Sequence, residues 1–355
     1  IIDIEIRGGF ASVLPKKSYS IEIKKDNTND ENEVSLLGLR EDGDYILDAM
    51  FIDRGRMRNR VATDIWNSFS NVYYKDIEPE AINGTRGLFV EVFLNDEYTG
   101  LYCFTEKIDR KQLKVKKVKD GIVKGVIVKA FDWSEGVTFD GYYDYDNNSS
   151  NWNGFETKYP QLDSEGIVDW KPVYDLIKFV VDSNENDFAD DFSKKFDMDN
   201  VVDYYLFLNL VSGYDNTGKN THLSSYDITD ENYSKFFITP WDLDGTFGRN
   251  WDSSETPSTD ILSNNMFNKL LEYNTDNFKD KLKTRWNELR TTKLTNELIK
   301  QHFRKYNNIF ISSKAAQRET ERWEESYLNF EDEIIYIENW VDLRLAFLDN
   351  YINSL

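Results

Sequence analysis

The sequence predicts an α+β fold in which a strand-rich N-terminal half is followed by a mostly helical C-terminal half. Apolar and polar residues alternate near the N-terminus, as in Ser18-Tyr-Ser-Ile-Glu-Ile23, which is the pattern of a half-buried strand. From about residue 167 the apolar residues recur at helical spacing instead. Hydrophobic residues make up 40% of the 355 positions, so a folded protein with a packed core is expected.

The first half is predicted to consist mainly of short strands. These strands lie within residues 1–25 (two strands around a turn), 88–94, 99–106 and 125–130. One helix is predicted over 53–70, with Asp53 as its N-cap and a shared apolar face formed by Met57, Val61, Ile65 and Trp66. Residues 133–160 are rich in Asp, Asn, Ser, Tyr and Gly and are predicted to form a long surface loop.

The second half is predicted to be helical apart from one strand pair at 221–228 and 235–239. The predicted helices cover residues 168–181, 198–211, 259–287, 295–311, 314–329 and 332–353. We expect residues 1–130 to form an N-terminal lobe and residues 131–355 a helical C-terminal lobe, both within a single functional unit.

The composition argues against several classes of function. The net charge of −21 disfavours nucleic acid and anionic membranes as main partners, because both are themselves negatively charged. No apolar run approaches the roughly 18 residues that span a bilayer, so no membrane span is predicted. One cysteine and two histidines are too few for the usual Cys/His zinc sites and offer little to a Ser-His-Asp hydrolase. Carboxylates and lysines are therefore expected to carry any catalysis.

Two polar segments combine the residue types that phosphoryl transfer requires. Residues 213–220 (GYDNTGKN) follow a predicted buried helix, and residues 240–248 (PWDLDGTFG) follow an apolar strand. Protein kinases place a base Asp and a metal-binding Asn in one loop, and a second metal-binding Asp after a strand. Asp215 and Asn220 have the spacing of the first pair, and Asp242 has the setting of the second Asp. Hard oxygen ligands of this kind suit Mg²⁺ or Mn²⁺.

The same residues have a simpler interpretation as turn formers. Asp, Asn and Gly favour turns, so Asp215 and Asn220 could shape one turn and Asp242 and Asp244 another. The D-x-x-x-x-N spacing occurs easily by chance, whereas an acidic pair after a buried strand is costly unless a cation compensates it. The chemistry of the residues alone leaves both interpretations open.

Residues 240–248, preceded by Asp215-Asn216 and Asn220, resemble the signature of the CotH family, the spore-coat kinases and their bacterial relatives. Further segments resemble the family in the same order along the chain: 6–9 and 15–21 its opening, 53 and 57–59 its first helix, and 90–95, 98–102 and 106–109 its central hairpin. The resemblance covers roughly residues 4 to 250. It implies an atypical protein-kinase-like fold.

The resemblance implies a role for each matching residue of the catalytic side. Asp215 would orient or deprotonate the acceptor hydroxyl. Asp242 would bind the metal, with Asn220 as co-ligand. Asp244 would be a further ligand or would support the ligands from behind. ATP would be the co-substrate, and Mg²⁺ or Mn²⁺ the metal.

The nucleotide-binding side is implied by the opening segment. Lys17 is the preferred candidate for contacting the α- and β-phosphates, with Lys16 as the alternative, because neighbouring strand residues point to opposite faces. The other residues implied in nucleotide binding are Arg7, Gly8, Gly9 and Glu106. For Glu106 the alternative is a capping role at the end of its strand.

Three features depart from the expected pattern. The family opening usually carries Ser or Thr soon after Arg-Gly, but residues 9–12 are Gly-Phe-Ala-Ser. No G-x-G-x-x-G motif occurs, and the helix predicted over 53–70 contains no Glu to pair with Lys17, as ordinary kinases require. These departures make a catalytically degenerate scaffold the main alternative to an active kinase.

The expected function is ATP-dependent phosphorylation of Ser or Thr hydroxyls in a protein. The resemblance implies a spore coat or an exported cell-surface location, and a cytoplasmic location stays open. The alternative is a non-enzymatic kinase-fold scaffold in the same places. A third hypothesis, a carbohydrate-binding or glycosidase domain, is suggested by nine Trp and 21 Tyr, and the hydrolytic version would need two carboxylates about 5–9.5 Å apart.

Overall fold

The computed structural model describes residues 1–25, 30–324 and 328–355, and this part of the chain has a mixed α and β fold, as predicted. The strands are β1 Ile2–Arg7, β2 Ser18–Ile23, β3 Val34–Ser35, β4 Glu41–Asp42, β5 Asp44–Asp48, β6 Gly87–Leu94, β7 Glu97–Thr105, β8 Val126–Ala130, β9 Asn151–Trp152, β10 Phe155–Tyr159, β11 Thr221–Ser225 and β12 Phe236–Pro240. The α-helices are α1 Arg58–Asn67, α2 Arg110–Leu113, α3 Leu162–Glu165, α4 Lys171–Asp182, α5 Glu185–Lys195, α6 Met198–Val211, α7 Asn265–Tyr273, α8 Phe278–Thr292, α9 Asn296–Ser312, α10 Ala315–Arg322 and α11 Phe330–Ser354.

The first sheet is antiparallel and has the strand order β1-β2-β5-β7-β6. The predicted strand pair near the N-terminus and the predicted hairpin are both confirmed as β1–β2 and β6–β7. Asn95 and Asp96 join the hairpin with φ angles of 51° and 65°, which suit a two-residue turn that follows the strand twist. One face of this sheet carries its own apolar cluster, which includes Ile21, Tyr45 and Phe104.

The second sheet has the order β12-β11-β8-β10-β9, with antiparallel pairing throughout. The predicted strand pair is confirmed as β11–β12, but the prediction of a surface loop over 133–160 is wrong for its last third. Trp152, Phe155 and Tyr159 are buried there, and β9 and β10 extend the sheet beyond β8. The polar residues around them masked this short alternating pattern.

The predicted lobe boundary at residue 130 falls at the end of β8. This strand pairs with β10 and β11 of the second sheet, not with the strands that precede it in the chain. In the opposite direction, α10 packs against β7 of the first sheet although it lies near the end of the chain. The second sheet therefore includes a strand from before the predicted boundary, and the first sheet is packed by a helix from after it.

Helix α6 lies at the centre of the main apolar core and has the predicted bounds. Its apolar residues surround the whole helix instead of forming one stripe, and all but one of its 14 residues are buried. Ser212 ends it in the left-handed conformation, with φ 56°. The following polar loop is therefore fixed at its origin by a buried helix.

Several predicted helix boundaries need correction. The helix predicted over 259–287 is two helices, α7 and α8, because Asn274, Asp276 and Asn277 adopt positive φ between them. Helix α5 was not predicted. The helix predicted over 314–329 is observed as α10, and residues 325–327 lie outside the described part of the chain.

The helix predicted from residue 53 begins instead at Arg58. Asp53 nevertheless serves its first turn, because its Oδ2 accepts hydrogen bonds from the amides of Met57 at 2.7 Å and Arg58 at 2.6 Å. Across the described ranges, no helix is long and apolar enough to cross a membrane.

Candidate active site

A cavity of about 530 Å³ is lined by both sheets and by α1. The sequence-predicted site residues among its walls are Arg7, Gly8, Gly9, Lys16, Asp215, Asn220, Asp242 and Asp244. Residues that the sequence did not single out also line it, chief among them Asp48, Lys129 and Lys219. The structure therefore brings most of the predicted site into one recess.

The ends of β11 and β12 place Asn220 and Asp242 side by side. Thr221 pairs with Pro240 in the ladder, so the residue before β11 lies next to the residues that follow β12. The Trp241 amide donates to the Asn220 carbonyl at 2.9 Å. Asn220 and Asp242 both have φ 56°, a left-handed conformation that Asn and Asp adopt more readily than other side-chain-bearing residues.

The loop that carries Asp215 is braced by a buried amide. Asn216 Nδ2 donates to the carbonyl oxygens of Asn220 at 3.0 Å and Trp241 at 2.9 Å. The Tyr204 hydroxyl, which comes from α6, donates to the Asn216 carbonyl at 2.7 Å. The spacing between Asp215 and Asn220 is thus held by side chains that are not themselves among the cavity walls.

The carboxylates of the cavity are mutually repulsive and recessed. Asp242 borders the cavity and is exposed to its interior, yet the enclosing protein raises the pKa of its carboxyl above the ordinary value, and the charge of Asp48 adds to this shift. Lys129 and Arg7 oppose it. For Asp244, burial first and Asp242 second raise the pKa well above the usual range. A cation placed among these groups would be favoured, because it would let them ionise together.

The donor set fits a hard divalent cation that arrives with a phosphate group. No three His, Cys, Asp or Glu side chains of the described residues converge closely enough to hold a metal by themselves. Mg²⁺ is usually bound through one or two carboxylates together with substrate phosphates and water. Asp242 and Asn220 supply side-chain oxygens at adjacent positions, and Asp244 adds a second carboxylate nearby.

Lys16, and not Lys17, faces this cavity. The Lys16 side chain is buried, its Nζ lies 2.7 Å from Glu319 Oε1, and it also donates to the Leu101 carbonyl. Lys17 turns the other way, and its Nζ donates to the Ser12 carbonyl at 2.9 Å. The geometry therefore favours the alternative, Lys16, over the preferred candidate Lys17, since the two neighbours point to opposite sides of the sheet and of the two Lys16 lines the recess.

Glu319 is the acidic partner that sequence reasoning missed. It lies on α10, more than 300 residues after Lys16, so no local spacing signals the pair. Its Oε1 also accepts from Arg56 Nε at 2.8 Å, and its Oε2 accepts from the Leu101 amide at 2.7 Å. Burial lowers the pKa of Lys16 to about 7 although Glu319 opposes the shift.

Gly100 makes this close approach of α10 to β7 possible. A Cβ atom at this position would lie 2.6 Å from Glu319 Oε2 and 3.0 Å from Lys16 Cε. The glycine also has φ +133°, which side-chain-bearing residues rarely adopt. Gly100 belongs to the hairpin segment that resembles the CotH family. The resemblance therefore marks this glycine in the sequence, but it does not reveal that the glycine makes room for Glu319 and Lys16.

The loop after β1 closes one side of the cavity. Gly8 has φ +95°, and a Cβ there would lie 2.9 Å from the Ala11 Cβ, whereas Gly9 has open space around it. The Phe10 ring meets the Trp251 ring edge-on with centroids 5.4 Å apart. The loop therefore reaches across to the segment that follows Asp242 and Asp244.

Glu106 lies outside the cavity walls and holds the protein together instead. Its carboxylate accepts from the amide of Arg40 at 2.9 Å and from the Arg86 guanidinium at 2.8 Å. Gln112 adds a third donor at 3.1 Å. The structure thus supports the structural alternative for Glu106 and not its predicted contact with nucleotide.

Asp48 and Asn59 link the two sides of the cavity. Asn59 Nδ2 donates to Asp48 Oδ2 at 2.9 Å, and Asn59 Oδ1 accepts from the Leu243 amide at 3.1 Å. The strand end of the first sheet is thereby tied to the backbone between Asp242 and Asp244. Arg58 also stabilises the backbone just after Asp244, because its Nε donates to the Thr246 carbonyl at 2.9 Å.

Comparison with known proteins agrees with the resemblance noted in the sequence. A protein-family model described as CotH kinase protein matches residues 4–348. The match extends well beyond residue 250 and includes the helices of the C-terminal half. A search of curated proteins finds no match.

Proposed function

The chain belongs to the CotH kinase protein family, and we propose that it transfers the γ-phosphoryl group of ATP to Ser or Thr hydroxyls of a protein. Family membership supports kinase activity in general.

The observation that carries the proposal is the presence of Asp215, Asn220 and Asp242 around one recess that also contains a buried lysine. Phosphoryl transfer needs positioning and charge stabilisation more than covalent chemistry from the protein. A carboxylate for the acceptor hydroxyl, oxygen donors for a metal and a cation for the phosphates meet this need.

At the catalytic end, Asp215 would accept a hydrogen bond from the acceptor hydroxyl and take its proton. The hydroxyl oxygen would then bond to the γ-phosphorus as the bond from that phosphorus to the bridging oxygen breaks and ADP leaves. Burial raises the pKa of Asp215 above the ordinary value, while Lys219 opposes the shift. A raised pKa makes the carboxylate a stronger base near neutral pH.

At the nucleotide end, Lys16 would contact the α- and β-phosphates, with Glu319 fixing its position. Arg7 lies with its guanidinium 5.8 Å from the Trp241 ring centroid and would add positive charge on the same side. Asp242 and Asn220 would hold a divalent cation, with Asp244 beside them. The bound cation would supply neutralisation of the triphosphate charge.

In this proposal the first sheet and α10 form a nucleotide lobe, while the second sheet and the surrounding helices form a catalytic lobe. Family membership suggests a spore-coat association, and we extend this to an acceptor protein of the coat or of an exported surface. A catalytically degenerate scaffold is the second candidate. It is favoured by the loop after β1, which lacks the G-x-G-x-x-G motif and in which only Gly8 has a backbone conformation that requires glycine.

Radiolabelled ATP with Mg²⁺ or Mn²⁺ and a Ser-rich acceptor protein tests the proposal. We expect metal-dependent incorporation of label on Ser or Thr, which Asp242→Asn abolishes because the substitution removes the charged metal ligand. Asp190→Asn, at an exposed position of α5, is the matched control and should retain full activity.

Label incorporation that is equal in wild type and Asp242→Asn would refute the assignment of the site. Calorimetry with ATP and Mn²⁺ distinguishes the scaffold candidate, which needs no metal-dependent nucleotide binding. A folded wild-type protein that binds neither ATP nor label would favour the scaffold.

A further inference from the structure

A second cavity, of about 380 Å³, lies on the opposite side of the first sheet from the candidate active site. The alternation of β2 separates the two recesses, because Ser18 lines the first and Tyr19 the second. The side chains of interest among its walls are Lys17, Tyr19, Tyr98, Tyr102, Arg322 and Trp323. Lys17 therefore lines this second cavity, although the sequence resemblance implied that it contacts the phosphates of ATP.

The wall of this second cavity carries two cations. Among the residues that the structure describes, Lys17 uses one of its three N–H donors, on the Ser12 carbonyl, which leaves two for another acceptor. Arg322 donates through Nε to the Tyr98 carbonyl at 3.0 Å, and its guanidinium lies 4.4 Å from the Trp323 ring centroid. Glu97 is the carboxylate of the lining, and it is solvent-exposed. The balance of charge at the cavity favours an anion.

A buried hydroxyl at the same cavity has no partner within the described residues. Tyr102 is 0% exposed, and its OH makes no hydrogen bond there. A buried polar group without a partner is destabilising, and such groups in folded proteins usually meet water or a ligand. Because the phenol is a hydrogen-bond donor, it matches an acceptor such as a phosphate or carboxylate oxygen.

We propose that this second cavity binds a compact oxyanion, either a phosphate monoester or a carboxylate. Lys17 and Arg322 neutralise its charge, and the Tyr102 hydroxyl donates to one of its oxygens. The rings of Tyr19 and Trp323 provide apolar walls for the group that carries the anion. The size of the cavity suits a small metabolite and not a polymer.

The second cavity also shares a wall with the proposed phosphate-binding lysine. The Lys16 Nζ lies 4.4 Å from the centroid of the Tyr102 ring, and Glu319 and Arg322 are one turn apart on α10. An anion held behind Tyr102 would favour the charged form of Lys16. This coupling rests on the proposed function, and it predicts that the bound anion lowers the KM for ATP, with ATP in turn tightening the anion.

Isothermal titration calorimetry with inorganic phosphate, phenyl phosphate and benzoate tests the binding site without relying on catalysis. The reciprocal variants are Asp242→Asn, which alters only the first cavity, and the double variant Lys17→Met with Arg322→Met, which alters only the second. We expect Asp242→Asn to keep the affinity and the double variant to lose at least about tenfold, because charge-assisted hydrogen bonds are lost. Tyr102→Phe should weaken binding roughly two- to tenfold, the net worth of one hydrogen bond.

Three outcomes would overturn the site. These are binding of none of the probes to the wild type, loss of binding in Asp242→Asn, or full binding in the double variant when its thermal unfolding matches the wild type. Preference for phenyl phosphate or for benzoate identifies which oxyanion the site takes.

The coupling is measured separately as the KM for ATP with and without the tighter probe. An unchanged KM would refute the coupling and leave the binding site standing. Absence of kinase activity would refute the proposed function and leave the calorimetric result unaffected.

Discussion

The two ends of the candidate active site are built in different ways. The catalytic end comes from one stretch of chain, residues 213–248, in which two neighbouring strands bring Asn220 and Asp242 together. The nucleotide end comes from distant pieces, since Lys16 meets Glu319 only because α10 packs on β7. A motif with local spacing can be recognised in a sequence, whereas an ion pair that tertiary packing assembles cannot.

The largest effect is expected at the catalytic end. Asp215→Ala should lower kcat by about 10²–10⁴-fold, the usual worth of a general base, with little change in the KM for ATP. Steady-state kinetics with a Ser-rich acceptor measures this. A variant with near wild-type kcat would remove Asp215 from the mechanism and leave the nucleotide end as the better-supported half.

The pair Lys16→Met and Lys17→Met tests which lysine serves the nucleotide end. Lys16→Met should lower kcat/KM for ATP by about 10²-fold, because a preorganised cation next to the phosphates is lost. Lys17→Met should change it by less than about threefold, since a partly exposed surface contact is worth little. If Lys17→Met had the larger effect, Lys17 and not Lys16 would be the lysine that contacts the nucleotide.

Glu319→Gln tests whether α10 completes the site from a distance. The substitution keeps an acceptor for the Leu101 amide but removes the charge that positions Lys16, so kcat/KM for ATP should fall about tenfold. Glu321→Gln, on the same helix and exposed, is the control.

The pH dependence of kcat/KM for ATP shows whether Glu319 acts on Lys16 through its charge or only supports the fold. Burial lowers the pKa of Lys16 to about 7, with Glu319 raising it and Arg56 lowering it. Since the charged form binds phosphate, kcat/KM for ATP should decline as pH rises through about 7. In Glu319→Gln this alkaline decline should move to lower pH. An unmoved profile would contradict the electrostatic role of Glu319.

Gly100→Ala should have the smallest effect on chemistry but a measurable one on stability. A methyl group there would press on Glu319 and Lys16 and would force a strained backbone, so the free energy of unfolding should fall by about 1–3 kcal/mol. Gly9→Ala, at a position with open space, should be nearly neutral. Thermal or urea unfolding of both variants checks this, and equal stabilities would contradict the close-approach argument.

Strongly patterned elements could be predicted from the sequence. The first strand pair, the hairpin β6–β7 and helix α6 follow directly from alternation or helical spacing. Short or interrupted elements could not: β9 and β10 lie in a polar stretch, and the break between α7 and α8 depends on asparagines that tolerate positive φ.

The candidate site divides in the same way. Asp215, Asn220, Asp242 and Asp244 could be proposed from the sequence because their spacing and strand-then-turn setting are local, and all four line one cavity. The sequence could not decide between Lys16 and Lys17, because one residue of register determines which face a side chain meets, and it is Lys16 that lines the same cavity as the four polar residues. Asp48 and Glu319 carried no local signal, since their importance depends on what folding brings beside them.

The most direct measurement is a crystal structure of the protein with a non-hydrolysable ATP analogue and Mn²⁺. We predict Mn²⁺ bound directly to oxygens of Asp242 and Asn220, with a phosphate oxygen within hydrogen-bond distance of Lys16 Nζ and the γ-phosphate facing Asp215. An analogue bound elsewhere, or a metal that contacts neither Asp242 nor Asn220, would contradict the assignment of this cavity as a kinase active site.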